Sequence, residues 1–565
     1  MRTQLIRFGI VGTVGVAINL AVFMLCTRQL QIAPTAAAVV AFSVAVTSNF
    51  TFNRIWSFAP ATSQYIGYWT GWIRYVVVNC VGLGVNLLVL SAVIGWIGHR
   101  YAIEGQALGV ASGMMFNFFM ARALIFRPDR GPEPAPLSAP RSPDAAATAT
   151  PSGPSYVAIF AAVVVAGVVV AVAFHAALGH AGYGYPWNTF LFTPADRYND
   201  WHNSVVAAST FDPYYQARPG VLSVYFPFAY LAFLVGSGLS WAASSAVYLV
   251  ISIGLLVAAV AFSWSQARPV QAAGGQVDAK ELALLLLACV LSYPVLFALD
   301  RGNLDVWIGS LCAFYVAALN TRHERLGFAA LCVAIAFKGY PAAFLGLALA
   351  ERKWGSPAMC LAGALALTTA ALASLDGGIV RNVHGFLANL SEYQRVYVLG
   401  TASQFATADP YSGIRSAARI VSDASPGATD FTGWFLRVYS LLSLACALLG
   451  AFFVLAVPCQ RWRRVMAISL IALLFPNVAN DYKLCILLPG ILTLVLEEDR
   501  SGRGFTALAL SCLLMIPKSY FFFAPGTIGI SNLINPLLLL ALVACVAADR
   551  EAWRAAARRC RLALT

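Results

Sequence analysis

The sequence is short of charge. Asp, Glu, Lys and Arg make up 11% of its residues, where soluble domains carry about 25%. That shortage excludes a soluble chain of 565 residues built as several water-facing domains. Segments of about ten residues with alternating apolarity are also missing, which excludes a membrane β-barrel. The twelve cysteines, among them Cys26, Cys289 and Cys485, form no Cys-x-x-Cys pair and no Cys/His metal spacing. They read as small core residues. No Asp-x-Asp nucleotide-sugar site stands out, so neither a metal nor a cofactor is expected. The first apolar run lacks a convincing cleavage site and leads into a second, so no cleavable signal peptide is expected.

What the chain has is apolarity. It is 60% hydrophobic, in recurrent runs of the length needed to cross a bilayer, about 20 residues. The net charge of +13 is carried by short links between those runs and by the C-terminal tail, as the positive-inside rule expects. The expected partner of this charge is membrane lipid, and no nucleic-acid partner is expected. The fold class is an all-α polytopic membrane protein.

The first four apolar runs, near 8–26, 35–52, 75–97 and 105–121, contain a duplication. RFGIVGTVGVAIN (7–19) pairs with RYVVVNCVGLGVN (74–86), and NFTFNRIWSF (49–58) with NFFMARALIF (117–126). Arg7/Arg74 and Asn19/Asn86 are 67 apart; Asn49/Asn117, Arg54/Arg122 and Phe58/Phe126 are 68 apart. Such a ladder in permissive apolar sequence is the mark of a repeated two-helix unit. An amide inside a membrane needs a hydrogen-bond partner. Asn19, Asn49, Asn86 and Asn117, with Arg54 and Arg122, therefore either bond helix to helix or line a polar path. On these residues, 5–127 resembles the GtrA-like family of four-helix membrane proteins. The resemblance implies a role in moving polyprenyl-phosphate-linked sugars across the membrane.

Residues 128–154 hold eight prolines and no apolar period, which reads as an extended tether. The expected domains are 1–127, a linker over 128–155, and 156–565. Twelve apolar runs follow: 156–178, 221–239, 243–264, 281–298, 303–319, 326–350, 356–375, 434–457, 466–475, 484–496, 505–516 and 527–548. If each crosses, the loops 179–220 and 376–433 lie outside and the basic stretch Cys459–Arg464 inside. Arg322 and Arg325 would then face outward, against the charge rule, unless one segment in 221–350 is re-entrant. The short runs 466–475 and 484–496 flank PNVANDYK and read as broken helices around a polar site.

The spacing D(200)WHNSVVAASTF-D(212)PY, followed by VYFPF (224–228), resembles glycosyltransferase family 87 and its GT-C superfamily. DRGNLD (300–305), AIAFKGYP (334–341) and FPNVANDYK (475–483) resemble further segments of that family. The resemblance covers about 156–548. It implies an extracytoplasmic, inverting, metal-independent transferase using a polyprenyl-phosphate-linked sugar, with a glycan, lipid or protein acceptor. The expected location is a bacterial inner membrane, with the active site facing the periplasm or exterior.

Such a transfer needs a base for the acceptor hydroxyl and a cation for the departing phosphate. Asp200 is the candidate base and Asp196 the runner-up, four residues earlier on what reads as one face of a short helix. Lys338 sits in an apolar run, where an unpaired lysine costs about 2.5–3.5 kcal/mol. With Arg301 and Lys483 it is a candidate for the donor phosphate. His202, Asn303, Asp481, Tyr482 and Arg395 are candidates for lining the cavity or meeting the acceptor, and Asp212 reads as a cap or turn. The rival reading is a non-catalytic transporter or scaffold for a lipid-linked glycan.

Overall fold

The computed structural model describes residues 34–54 and scattered positions between 7 and 121. It then describes 154–216, 221–267, 279–399, 407–424, 432–474, 479–518, 522–523 and 528–564. The chain divides into two compact units, Met1–Ser152 with Arg554–Thr565, and Gly153–Trp553.

In the first unit, helix α1 (Pro34–Phe52) contributes Val46 and Phe50 to a core with Phe8, Tyr75, Val78, Phe118 and Ala121. The ring pairs follow the duplication. Phe8 meets Phe118 edge-on at 5.4 Å, and Phe50 meets Tyr75 at 5.6 Å. Phe8 and Tyr75 are equivalent at a spacing of 67, Phe50 and Phe118 at 68. The first helical segment of each repeat therefore packs on the second of the other. Amides tie the same core. Asn53 Nδ2 donates to Tyr75 Oη (2.9 Å) and Asn117 Nδ2 to Asn79 Oδ1 (3.1 Å). Asn49 fills the space a side chain at Gly15 would need, 2.2 Å from an added Cβ. Asn19 and Arg54 are half-buried; Asn86 and Arg122 lie outside the described residues.

The second unit is a helical bundle. It runs through α2 (Tyr156–His180), α3 (Asn199–Ser209), α4 (Pro227–Phe233), α5 (Trp241–Ala267), α6 (Ala279–Leu291), α7 (Tyr293–Arg301), α8 (Asp305–Ala318) and α9 (Glu324–Phe337). It continues through α10 (Leu345–Ala350), α11 (Gly355–Ser374), α12 (Gly378–Tyr393), α13 (Pro410–Ala424), α14 (Thr432–Ala456), α15 (Arg461–Leu474), α16 (Leu488–Glu497), α17 (Gly502–Met515) and α18 (Ser531–Ala547). A two-residue strand pair, Phe522–Phe523 with Ile528–Gly529, precedes α18. Among the described residues, α2, α5, α11 and the Val438–Ala456 part of α14 are long and apolar enough to cross a membrane. Helices α6 and α7 together are long and apolar enough for one passage and are bent by 52°. Pro294 explains the bend, because its ring and missing N–H break the ladder at Ser292.

The bundle has a basic end. There Arg461 donates to the Val316 carbonyl (2.6 Å) and Lys353 to Asn320 and Glu324 (2.5 and 2.6 Å). Tyr156 Oη donates to the Asp499 carbonyl (2.6 Å), and Arg463 pairs with Asp549 (2.8 Å). The turns around 320, 352, 460 and 499 thus share one end, so Arg322 and Arg325 lie with Arg461, as the alternative of a segment in 221–350 that does not cross requires.

Two departures from the run-by-run reading explain this. The run 221–239 does not pass through the bundle. Phe228, in the first turn of α4, stacks on Phe337 at 5.5 Å, while Gly236 beyond its other end lies against Trp201, Val205 and Ser244. Those neighbours all belong to the opposite end, so α4 lies across it. The run 326–350 makes two passages instead of one. It reverses at Lys338-Gly339-Tyr340-Pro341, and the return leg is a 3₁₀ turn, Tyr340–Phe344, continued by α10. One passage is lost and one gained, so the later helices keep the expected sense.

Candidate active site

The end opposite the arginines gathers helix termini. Asp200 lies in the first turn of α3 and Asp305 opens α8. Arg301 closes α7, and Lys338 caps the C-terminus of α9. Each acid sits where the partial positive charge of a helix N-terminus favours it, and each base where the C-terminal carbonyls do. The ion pairs join ends of opposite kind. Arg301 Nη2 meets Asp200 Oδ1 at 2.5 Å, and Lys338 Nζ meets Asp305 Oδ2 at 3.0 Å. Asn303 ties the two pairs together. Its Nδ2 donates to Asp200 Oδ2 (2.9 Å), and its Oδ1 accepts from Lys338 Nζ (3.3 Å) and from the Asp305 N–H (3.1 Å).

Gly302 makes this clasp possible. Its φ of +74° ends α7 in the left-handed region and turns Arg301 and Asn303 to the same carboxylate. A Cβ there would lie 2.5 Å from Trp201 Cβ and 3.0 Å from Trp201 N. Trp201, next to Asp200, is fully buried and donates from Nε1 to Ser244 Oγ (2.8 Å). The apolar packing of α3 on α5 therefore fixes where Asp200 points.

The cations rest on aromatic rings. The Arg301 guanidinium is 4.3 Å from the Phe192 ring centre, Lys338 Nζ 5.0 Å from Tyr225 and Lys483 Nζ 4.7 Å from Tyr340. Tyr340 Oη donates to Asp305 Oδ1. Asp305 is 1% exposed, against 21% for Asp200, 15% for Arg301 and 23% for Lys338. Asp200, Arg301 and Lys338 are thus partly exposed, while Asp305 is buried and holds Lys338.

The structure brings Asp200, Arg301, Asn303 and Lys338 into one cluster, with Lys483 behind Tyr340. Asp196 is not on a helix with Asp200. It ends a separate 3₁₀ turn, Pro194–Asp196, and left-handed Tyr198 (φ 56°) intervenes. The shared face expected from the spacing of four is therefore lost. His202, two residues beyond Asp200 and so on another face of α3, stacks on Trp241 with centroids 3.4 Å apart. Its Nε2 meets Ser245 Oγ at 2.9 Å, and burial holds its imidazole below the usual range. Asp481 is wholly buried and accepts from Tyr293 Oη (3.1 Å) and Asn535 Nδ2 (2.9 Å). Tyr482 Oη accepts from Asn480 (2.6 Å), and Arg395 pairs with Glu392 on the exposed surface (2.8 Å).

Asp212 is more than a turn residue. It is buried, and both its oxygens accept from Arg381 at 2.9 Å, which locks the 181–226 loop to α12. Asp409 fixes the other loop to the 479–483 break, accepting from the N–H groups of Ala479 and Ser412, each at 2.8 Å. The sequence reading missed Asp305, Tyr340, Tyr225 and Arg381. An acid opening an apolar run marked Asp305, and Gly-Tyr-Pro after Lys338 marked Tyr340; Arg381 had no local signal.

Residues 7–126 match the GtrA/DPMS transmembrane domain, and residues 224–479 match glycosyltransferase family 87. The chain therefore carries spans similar to two membrane families. The family 87 span contains Arg301, Asn303, Asp305 and Lys338 and begins downstream of Asp200. No curated protein and no solved structure matches the chain. The two matched spans support a membrane glycosyltransferase that carries a domain of the type associated with lipid-linked sugars.

Proposed function

We propose that the second unit transfers a sugar from a polyprenyl-phosphate donor to an acceptor hydroxyl at the site end, on the extracytoplasmic face. The observation that carries this reading is the Asp200–Arg301–Asn303–Lys338–Asp305 cluster, where two cations and a partly exposed carboxylate are held together by ion pairs and a shared amide. Asp200 takes the acceptor proton. A carboxylate offers about four lone-pair positions, and Arg301 and Asn303 occupy one on each oxygen. The acceptor oxygen forms the new bond at the anomeric carbon, and the bond to phosphate breaks with inversion. The phosphate departs as polyprenyl phosphate, its charge met by Lys338 and Arg301, with Lys483 behind them. Asp305 and Tyr340 hold Lys338 in place. The first unit supplies the donor across the membrane, with Asn19, Asn49, Arg54, Asn86, Asn117 and Arg122 along its path.

Turnover and donor affinity of folded, monodisperse variants test this reading. Asp200→Asn removes basicity and lowers turnover about 10²–10⁴-fold with donor binding retained. Lys338→Ala lowers donor affinity together with turnover, and Lys338→Arg recovers part of both. Asp305→Asn follows Lys338→Ala, and Asp196→Asn stays near wild type. Loss of turnover in Asp196→Asn with Asp200→Asn near wild type would move the base four residues upstream, and folded wild-type protein without transfer would leave the transporter reading in its place.

A further inference from the structure

Helix α12 is built inside out for an external loop. The side it turns to the protein carries Asn382, Gly385 and Asn389. Asn382 is fully buried and donates to the carbonyls of Asp376 and Gly378, each at 2.9 Å. Asn389 donates to the carbonyls of Tyr214 (3.1 Å) and Ser223 (3.2 Å). Gly385 admits the Tyr215 ring and the Cβ of Tyr214, which an added Cβ would meet at 2.6 and 2.9 Å.

The opposite side is apolar. Val380, Val383, Leu387 and Leu390 are 84%, 38%, 55% and 44% exposed. At about 100° per residue they fall on one stripe. A helix resting on a soluble protein would show the reverse arrangement. Its stripe also continues from a surface of the same kind. Helix α11, which ends three residues before α12, exposes Met359 (70%) and Leu365 (68%) on a passage long and apolar enough to cross the bilayer.

From this inverted polarity and continuity we infer that α12 lies in the bilayer surface at the site end, its Val380–Leu390 stripe immersed among lipid acyl chains. A membrane-surface helix buries its apolar face about 5–10 Å into the headgroup boundary. The position is linked to the site. Phe386 packs on Tyr214 and Phe226, with ring centres 5.8 and 5.5 Å apart. Phe226 lies against Gly339, the neighbour of Lys338, and Tyr225 carries the Lys338 ammonium. The immersed helix and the cationic rim are thus joined by one short aromatic chain. The immersion itself does not depend on the proposed transfer.

The full-length protein in phosphatidylcholine nanodiscs provides the test. A photoreactive phenylalanine analogue replaces Val380, Val383 or Leu387, one at a time. All three positions are exposed, so the substitution leaves the core intact, and size-exclusion profiles verify this. After irradiation, mass spectrometry should find phosphatidylcholine adducts at each of the three positions. A covalent dimer of the chain at these positions, or folded protein without lipid adducts, would overturn the inference. Adducts require no turnover, so an inactive but lipid-linked protein would count against the transferase reading and not against this one.

Discussion

Gly302 decides more than its size suggests. It is the point where a backbone turn becomes a chemical arrangement, because only the left-handed conformation presents Arg301 and Asn303 to one carboxylate. Gly302→Ala introduces strain at φ +74° and a clash with Trp201. The cost is about 1–3 kcal/mol, and the release of strain moves α3 and Asp200 with it. The expected outcome is a lower thermal midpoint together with a fall in turnover larger than the fall in donor affinity. The midpoint and a saturation curve on the same preparation check it. Unchanged turnover would show that Asp200 is placed by something other than this turn.

At the scale of elements, the break at 479–483 depends on Asp409. Its carboxyl lies in the loop at the site end, and burial pushes its pKa up from 3.8 to about 6. A raised carboxyl pKa means that the folded state binds the proton more tightly than the unfolded chain. Its contribution to stability is therefore full below about pH 4 and is lost as pH rises through about 6. Thermal midpoints in detergent across that window should fall with pH on this account. Asp409→Asn should remove the slope. It should also lower stability at every pH, since its amide nitrogen must face an N–H donor at either Ser412 or Ala479. A slope that survives the substitution would assign the pH dependence to another group.

Much of this element-level architecture was legible in the residues. The 67- and 68-residue offsets make the ring pairs Phe8–Phe118 and Phe50–Tyr75 equivalent, because a duplicated unit must pack in equivalent ways. Lys338, charged inside an apolar run, and Arg301, in the short link between two, mark the candidate cluster, because a charge in that setting needs a partner. What stayed hidden is long-range. Nothing near Asp212 names Arg381, 169 residues away. The spacing of Asp196 and Asp200 suggested one helix face because periodicity carries no sign of a left-handed residue between them. Hydropathy read 221–239 as a passage because it measures apolarity and not direction.

The whole molecule joins spans similar to two families, with a proline-rich stretch of sequence between them. If supply and transfer are separate tasks, residues 155–565 alone retain transfer in detergent when donor is added. They lose activity that depends on donor made on the far side of a sealed vesicle. Assaying truncated and full-length protein in both settings distinguishes the tasks. A folded truncation without activity in detergent would show that the first unit also takes part in the chemistry.

The lateral helix α4 and the reversal at Lys338 also bear on how the chain is made. An insertion machine reading apolarity segment by segment would send 221–239 across and take 326–350 as one crossing. The two errors cancel for everything downstream. Between them, however, residues 241–337 would emerge upside down. The nascent interval therefore needs its own compass, and Arg322 and Arg325 in the turn after α8 supply the positive charge that cells retain on the side of synthesis. Replacing both with Glu should leave the tail correctly placed while a fraction of chains carries this interval inverted. An accessibility tag in the 319–325 turn would report that fraction. A uniform population would mean that packing alone corrects the orientation.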